Sequence, residues 1–337
     1  MAPRPEAAFG VDVGGTKIAA GLVDSAGRIL AEAEESTDQS GPDAPVAQVV
    51  SLLETVIRAS GLEARRIGGV GVGVPGMPDV GNGGVWAPNV RGWDRYPLKQ
   101  ELQARLAALS VPVTASPQAV WVENDGRLAT LGEYWRGAGQ GAGTAALMVV
   151  GTGVGGGVVV DGKLLRGAHG VAGYFGWFVL PGRSGARKDL GDLESLAAGT
   201  ALGELGQRAV EAGESPSIAA FAGSADKVTG HAVFAAAAAG DTVARQIVRD
   251  WAEHLAAGIS NLVVAIDPDV IIIGGGLSSS FPHYERDLQE ALSRIAHPFA
   301  RHSIRVVPAR LGSRAGLTGA AKLALDSLFE REMDHER

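Results

Sequence analysis

The same order of strands and helices runs twice along this chain, and each copy opens with a glycine-rich turn after an apolar strand. The first turn is Asp12-Val-Gly-Gly-Thr-Lys17, and the second is Gly151-Thr-Gly-Val-Gly-Gly-Gly157. Glycine adopts conformations closed to other residues and leaves backbone N–H groups uncovered, so such turns form concave sites for anions. The duplicated pattern therefore predicts an architecture that clamps phosphate groups between two glycine-rich loops.

Apolar periodicity predicts the elements of each copy. In the first copy we predict an antiparallel meander of strands at 9–13, 18–23 and 29–34, a helix at 45–59, a strand at 67–74, a helix near 98–109 and a strand at 119–123. In the second we predict a helix at 127–135, strands at 145–150, 155–160 and 163–165, helices at 193–211, 217–221 and 242–266, a strand at 270–273, a helix at 281–295, a strand at 304–308 and a helix at 317–329. We therefore expect an α/β fold of two β-β-β-α-β-α units flanking a cleft, with the repeat boundary near residue 125.

Composition excludes several classes of protein. A chain of 337 residues suggests two domains, and the absence of cysteine removes disulfide scaffolds, thiolate zinc sites and cysteine nucleophiles. The net charge is −7 with scattered basic residues, so we expect no nucleic-acid partner. No apolar run is long enough to span a membrane, and the N-terminus lacks the apolar core of a signal peptide. We expect a cytoplasmic protein with no membrane partner.

A further series of motifs follows the first turn in order. They are Gly71-Val-Gly-Val-Pro-Gly76, Ala87-Pro-Asn89, Glu123-Asn-Asp125, Gly132-Glu133, Gly162-Lys163, Arg166-Gly167 and Ile271-Ile-Ile-Gly-Gly-Gly-Leu277. With the two glycine-rich turns, this series resembles that of the ROK sugar kinases, which are glucokinase-like members of the actin/hexokinase superfamily. The resemblance runs from about residue 9 to 325. It implies two actin-like ATPase domains, 1–125 with the sugar-pocket loops and 126–337, with the last helix packing back on the first.

The resemblance implies phosphorylation of a sugar hydroxyl by ATP with Mg²⁺, in a homodimer. Carried over residue by residue, it makes Asp125 the catalytic base and makes Asn89 and Asn124 sugar ligands. Asp12 would hold Mg²⁺ directly or through water. The phosphate and nucleotide contacts would be Gly14, Gly15, Thr16, Lys17, Gly151, Thr152, Gly153, Gly274, Gly275 and Gly276.

The residue types suit this chemistry on their own terms. A carboxylate within hydrogen-bond reach of a sugar hydroxyl can take its proton during attack, which accelerates such reactions by ~10²–10⁴. Backbone N–H groups and Mg²⁺ neutralise the charge on the transferring phosphoryl oxygens. An aspartate is a suitable Mg²⁺ ligand, because this hard cation binds few carboxylates and several waters.

The sequence departs from the family between residues 167 and 194. Tyr174 stands where the family has a sugar-binding Glu, Trp177 replaces a His that contacts both sugar and zinc, and all zinc-ligating cysteines are missing. We therefore expect no zinc site. Of that motif only its closing Glu is kept, as Glu194, which we expect to contact the sugar. Tyr174 and Trp177 are expected to line the changed side of the pocket.

These changes bear on the acceptor. A hydrogen bond to a charged group contributes roughly 1.5–3 kcal/mol. Losing the Glu therefore weakens the binding of a normal hexose by about 10–100-fold unless Tyr174 compensates. Within the same resemblance, the C7-cyclitol kinases phosphorylate a primary hydroxyl on a ring of the valiolone type. We therefore predict a small-molecule acceptor that is a sugar-like cyclitol or a sugar.

Other functions stay open at this point. One alternative is a glucokinase or another hexose kinase, and an alternative from another class is an inactive pseudokinase that binds sugar or nucleotide. A sugar-sensing repressor of the same family would need a helix-turn-helix of ~60–80 residues before the first phosphate loop, which here starts by residue 12. We do not expect a repressor.

Overall fold

The structure is a computed structural model and describes residues 5–79, 84–110, 112–180 and 190–335. Its first elements are β1 (Ala7–Val13), β2 (Lys17–Asp24), β3 (Ile29–Ser36), α1 (Ala44–Ser60), β4 (Ile67–Val74), β5 (Met77–Pro78), β6 (Val85–Trp86), α2 (Leu98–Ala107), β7 (Val120–Asn124) and α3 (Asp125–Arg136). There follow β8 (Thr144–Val150), β9 (Val154–Val160), β10 (Lys163–Leu164), α4 (Asp192–Ala197), α5 (Gly199–Glu211), α6 (Pro216–Ala222), α7 (Gly230–Ala238), α8 (Thr242–Ile266), β11 (Val270–Gly274), α9 (Phe281–Ile295), β12 (Val306–Pro308) and α10 (Ala315–His335).

Two five-stranded sheets carry the same strand order. They run β3-β2-β1-β4-β7 and β10-β9-β8-β11-β12, so each sheet orders its strands third, second, first, fourth and fifth. In both sheets the first strand pairs antiparallel with the second and parallel with the fourth. The predicted antiparallel meander and the predicted duplication of one α/β unit are confirmed.

Glycines in the first sheet allow the backbone of helix α10 to pack closely against the strands. Every residue of β4 is buried, as expected for a strand with neighbours on both sides and both faces covered. A Cβ at Gly71 of β4 would lie 1.9 Å from the carbonyl oxygen of Ala320, and one at Gly10 of β1 would lie 1.9 Å from that of Leu317. The backbone of α10 therefore rests directly on the sheet, which explains the run of small residues in β4.

Several helix ends follow from local sequence. Helix α1 has Pro45 in its first turn, where proline costs no hydrogen bond, and ends at Gly61 in the left-handed conformation with φ +67°. Helix α8 is capped by Asp241, whose carboxylate accepts a hydrogen bond of 2.9 Å from the backbone N–H of Ala244. Such caps place helix boundaries close to their predicted positions.

Two helix predictions are wrong. The helix predicted over 193–211 is two helices, because Ala198 is extended (φ −67°, ψ 159°) and the chain turns between α4 and α5. Helix α7 is not among the predicted helices, and its Val233 and Phe234 are buried in the core. Burial on this face outweighs the lack of a polar-apolar period in the alanine run.

The chain forms two compact units. The first comprises the residues up to Gly141, together with Leu164–Val171 and the chain from Arg310 onwards; the second comprises Ala142–Lys163 and Ala172–Ala309. By packing, α3 and α10 both belong to the first unit. The division into 1–125 and 126–337 follows the sequence repeat, and its assignment to two ATPase domains stays a prediction. None of the described helices is long and apolar enough to cross a membrane.

Candidate functional site

The predicted site residues fall into two groups, one in each unit. The first unit holds Asp12, Gly14, Gly15, Thr16, Lys17, Asn89, Asn124 and Asp125, and the second holds Gly151, Thr152, Gly153, Tyr174, Trp177, Glu194, Gly274, Gly275 and Gly276. Most of these residues lie at the ends of strands or in the loops that follow them. The exceptions are Asp125, which opens α3, Glu194, which lies on α4, and the pair Tyr174 and Trp177 at a short helical turn. Their individual roles stay predictions.

The first glycine-rich turn is a tight hairpin between β1 and β2. The N–H of Gly14 donates to the carbonyl of Lys17 at 2.8 Å, and the hydroxyl of Thr37 donates to the carbonyl of Gly14 at 2.7 Å. The carbonyls at this corner are thus engaged by the protein. Thr16, at the tip, is exposed.

A glutamine that sequence reasoning missed joins this hairpin to the loop of Asn89. The side-chain amide of Gln39 donates to the carbonyl of Gly15 at 2.7 Å and to that of Asn89 at 3.3 Å, while its oxygen accepts from the N–H of Arg91 at 2.8 Å. A Cβ at Gly15 would lie 2.7 Å from the carbonyl oxygen of Asn89. Gly15 is therefore required by the close approach of the two loops, and the exposed side chain of Asn89 lies beside the phosphate hairpin.

The ammonium of Lys17 lies beside a carboxylate of the neighbouring strand. Its Nζ is 2.9 Å from Glu34, and the two side chains are 50% and 65% exposed. An ion pair as exposed as this contributes little to stability. Its contact with phosphate stays a prediction.

Two aspartates of the first unit interact electrostatically. Asp12 lies near the end of β1, and Asp125 is the first residue of α3. The pKa of Asp12 is raised to about 7, chiefly by burial and also by the charge of Asp125, against the opposing charge of Lys17. Burial also raises the pKa of Asp125, against the hydrogen bond from the Gly126 N–H and the charge of Arg127.

This pair fits the predicted magnesium site. Two carboxylates that repel each other in a poorly solvated place are stabilised by a divalent cation, and Mg²⁺ is commonly held by one or two carboxylates. A Cβ at Gly316 of α10 would lie 2.7 Å from a carboxylate oxygen of Asp12, so the helix approaches this carboxylate without a side chain in between. Asp12 is the residue that would hold the ion.

Asn124 caps helix α3, and both polar atoms of its side-chain amide are hydrogen-bonded. Its Oδ1 accepts from the N–H of Arg127 at 3.1 Å, and its Nδ2 donates to the carbonyl of Gly76 at 2.9 Å. The N-cap of α3 is therefore Asn124, and Asp125 is the first residue of the helix. The Asp125 carboxylate accepts from the N–H of Gly126 at 2.7 Å. The capped corner fixes where the helix starts and therefore where Asp125 stands.

In the second unit, the hairpin between β8 and β9 is bound to the start of α5. The N–H of Gly151 donates to the carbonyl of Gly153 at 3.0 Å, and the N–H of Gly199 donates to the carbonyl of Gly151 at 2.7 Å. The hydroxyl of Thr200 donates to the carbonyl of Thr152 at 2.8 Å. The hairpin is therefore held in one conformation by its own backbone and by the first two residues of a helix.

The third glycine run passes close to the same hairpin. Gly275 has φ +79°, and a Cβ there would lie 2.5 Å from the carbonyl oxygen of Val150. A Cβ at Gly151 would lie 3.7 Å from the nitrogen of Gly276. The structure thus brings together the two glycine segments of the second unit, which were predicted to face the nucleotide. Gly274 ends the buried strand β11.

Glu194 lies under the hairpin. Its Oε2 accepts a hydrogen bond of 2.8 Å from the N–H of Val154, and a Cβ at Gly153 would lie 2.5 Å from the same oxygen. This carboxylate connects α4 to the phosphate hairpin, a structural role that sequence reasoning missed. The predicted contact of Glu194 with sugar stays a prediction.

The two aromatic replacements differ in exposure. Tyr174 is partly buried and precedes a short helical turn over Phe175–Trp177, whereas Trp177 is 59% exposed. Phe175 is the aromatic residue of this turn that enters the core, with its ring 5.6 Å from that of Phe178. A large exposed indole is available to a ligand or partner, and its place in the acceptor pocket stays a prediction.

The predicted absence of zinc concerns a segment only partly described. Residues 181–189, where most of the family's zinc motif would fall, lie outside the described residues. Among the residues that the structure describes, no group of three or more histidine, cysteine, aspartate or glutamate side chains is arranged to hold a metal ion.

Comparisons with known proteins agree with the fold and the motifs. The sequence profile of the ROK family matches residues 8–327. A glucokinase of Streptomyces coelicolor is 35% identical, with 94% of this chain and 96% of that protein covered, and an N-acetyl-D-glucosamine kinase of Escherichia coli is 32% identical, with 94% and 99% covered.

Solved structures extend the likeness to three dimensions. A ROK family glucokinase from Streptomyces griseus, in complex with glucose and AMPPNP, superposes with a TM-score of 0.75 at 33% identity, covering 94% of this chain and 98% of that one. The predicted α/β fold of the actin/hexokinase type is thereby confirmed. With a profile match over nearly its whole length, this chain belongs to the ROK family.

Proposed function

We propose that this protein transfers the γ-phosphoryl group of ATP to a primary hydroxyl of a sugar-like cyclitol or a sugar, with Asp125 as the general base. The observation that carries the proposal is the pair of electrostatically coupled carboxylates, Asp12 and Asp125, in the unit that also holds the first phosphate hairpin. The relative from Streptomyces griseus, which binds glucose and AMPPNP, supports a sugar and ATP as substrates.

The enzyme class rests on the relatives. The chain is a phosphotransferase with an alcohol group as acceptor, since relatives covered over nine-tenths of their length are a glucokinase and an N-acetyl-D-glucosamine kinase. The finer assignments of acceptor and of residue roles belong to the proposal.

In the proposed reaction, Asp125 accepts the proton of the attacking hydroxyl as the new O–P bond forms and the bond to ADP breaks. Its place at the start of α3, fixed by the Asn124 cap, gives the base a defined orientation. Mg²⁺ held by Asp12 would neutralise charge on the phosphates. The N–H groups of the glycine-rich hairpins supply further donors to phosphoryl oxygens, which is how most such barriers are lowered.

For the acceptor we propose a C7-cyclitol of the valiolone type. Tyr174 and Trp177 offer an apolar ring and a single polar group each, where the family offers a carboxylate and an imidazole. That exchange suits a ligand with fewer hydrogen-bonding groups on one side. A hexose is the second candidate acceptor, and the 35% identity to a glucokinase supports it.

A mass-spectrometric screen tests both acceptors. Purified protein with ATP and Mg²⁺ is incubated with hexoses, N-acetylhexosamines and C7-cyclitols, and parallel reactions use polyphosphate as donor. A cyclitol phosphate with little hexose phosphate supports the proposed acceptor, whereas efficient formation of glucose 6-phosphate replaces it with the hexose. If no acceptor in the panel is phosphorylated, the proposal of a kinase gives way to that of a binding pseudokinase.

Assembly is part of the same proposal. Following the family resemblance we propose a homodimer, which light scattering after size exclusion measures directly. A mass near twice 34.5 kDa is the expected result, and a mass near 34.5 kDa at the concentrations used for kinetics contradicts it.

A further inference from the structure

A buried carboxylate adjoins the proposed base in sequence and is shared by two arginines. Glu123, the penultimate residue of β7, is 3% exposed. Its Oε1 accepts from Nε of Arg127 at 2.7 Å and from the N–H of Asn124 at 2.8 Å, and its Oε2 accepts from Nε of Arg166 at 2.5 Å. Both oxygens are therefore engaged, and one of these bonds goes to the backbone of the residue that precedes Asp125.

The two arginines approach Glu123 from different parts of the first unit. Arg127 lies on α3, is 1% exposed, and also donates to the carbonyl of Gly170 at 2.7 Å. Arg166 lies in the segment 164–171, and 42% of its side chain is exposed. Glu123 and Arg127 together attach the segment at two points, Arg166 and Gly170, to the corner where β7 becomes α3.

Stability alone gives no reason for the second arginine. One arginine already neutralises the carboxylate of Glu123, and a buried ion pair is weak evidence for a stabilising role. Arg166 adds a short, charge-assisted hydrogen bond from a loop segment to Glu123. The carboxylate of Glu123 also orients the backbone N–H of Asn124. The bond from Arg166 to Glu123 therefore restrains the position of the loop segment more than it stabilises the fold.

We propose that Arg166 and Glu123 are positioning residues, which hold the segment 164–171 against the β7–α3 corner and so keep Asn124 and Asp125 oriented toward the acceptor. The inference rests on the proposed function, in which these two residues meet the acceptor hydroxyls. It assigns no chemical step to Arg166 itself. The acceptor side of the reaction should therefore depend on Arg166, whereas ATP binding should not.

Arg166→Ala is the test variant, because Glu123 keeps Arg127 and the Asn124 N–H as partners and the core keeps its charge balance. The matched control is Arg66→Ala. Arg66 is also in the first unit, pairs with Glu6 and has a side chain 44% exposed, close to the 42% of Arg166. Arg166→Lys retains the charge and one donor, and should recover part of any loss.

Two measurements are made on each variant. Hydrogen exchange followed by mass spectrometry should show faster exchange in peptides covering 164–171 and 123–128 in Arg166→Ala, and no change there in Arg66→Ala. Steady-state kinetics with the best acceptor of the screen should show kcat/KM for the acceptor lowered by about 10–100-fold, as for other residues that orient ligands, with KM for ATP and Tm unchanged.

Each outcome decides the inference. Unchanged exchange in Arg166→Ala, or unchanged acceptor kinetics despite faster exchange, overturns it. A loss of activity that comes with a large fall in Tm also overturns it, because Arg166 is then a stabilising residue. A wild-type protein that phosphorylates no acceptor refutes the proposed function and the acceptor role drawn from it, while the exchange data still decide whether Arg166 holds the segment.

Discussion

At the scale of single residues, the proposed reaction depends most on the carboxylate of Asp125. Asp125→Ala should lower kcat at least ~10²-fold, because the attacking hydroxyl loses its proton acceptor. The fold should persist, since the cap of α3 is made by Asn124. Initial rates with the best acceptor and thermal unfolding measure the two effects. Asp94→Asn, at an exposed position of the same unit, is the control, and near-normal turnover by Asp125→Ala would remove Asp125 from the base role.

The preference for a cyclitol over a hexose acceptor is expected to depend on Tyr174. Tyr174→Glu restores the residue type that the family uses, and the regained hydrogen bond of roughly 1.5–3 kcal/mol should raise kcat/KM for hexoses about 10–100-fold relative to a cyclitol. Tyr174→Phe, which removes only the hydroxyl, is the control and should not favour hexoses. Competition between the two acceptors in one reaction measures the ratio. An unchanged ratio in Tyr174→Glu would place Tyr174 outside the acceptor pocket.

Single residues also show where sequence reasoning stops. The glycine-rich turns and the Asn124-Asp125 pair are visible in the sequence because each chemical role needs a particular residue type at a fixed spacing. The role of Gln39 is not visible, since its side chain bridges a loop 24 residues before it and a loop 50 residues after it. Glu194 is recognisable in the sequence as the closing residue of a family motif, but its bond to Val154 depends on the tertiary fold.

At the scale of elements, α10 is packed against α3 by backbone contact. A Cβ at Gly319 would lie 1.8 Å from the carbonyl oxygen of Leu128, so Gly319→Ala must force the helices apart. We expect it to lower the free energy of unfolding by about 1–3 kcal/mol, the usual cost of overpacking. Chemical denaturation measures it. Gly41→Ala, at a site with no atom within 4 Å, is the control, and equal stability of the two variants would contradict this packing.

The bounds of strands and helices are predicted correctly where the apolar periodicity and the capping or turn residues indicate the same ends. Helix α8 is predicted at its observed bounds because Asp241 caps a long amphipathic run. The prediction failed between α4 and α5, since the apolar pattern continues across the break at Ala198 and the single glycine there, Gly199, does not by itself predict the end of a helix. It failed again at α7, although alanine is the best helix former, because a uniform alanine run has no period.

At the scale of the whole molecule, the sequence repeat predicts the two sheets, and the packing of the last helix is decided by contacts distant in sequence. The chain enters the second unit after Gly141, returns to the first for Leu164–Val171, and rejoins the first for the last time at Arg310. Glu133, fully buried on α3, receives the returning segment: its carboxylate accepts from the N–H of Arg310 at 2.9 Å and from that of Leu311 at 2.6 Å. The Ala138 N–H also donates to it, at 2.8 Å.

Glu133→Gln tests whether this acceptor fixes the return of the chain. A glutamine keeps the shape but turns one acceptor into a donor that faces backbone N–H groups, which leaves buried donors unsatisfied at a cost of about 1–3 kcal/mol. We therefore expect a lower Tm and faster hydrogen exchange in α10, whose docking begins at the anchored segment. Glu211→Gln, the same change at an exposed position of α5, should alter neither. If Glu133→Gln unfolds like the wild type with α10 still protected, the helix is held by its glycine contacts alone and the buried carboxylate is dispensable.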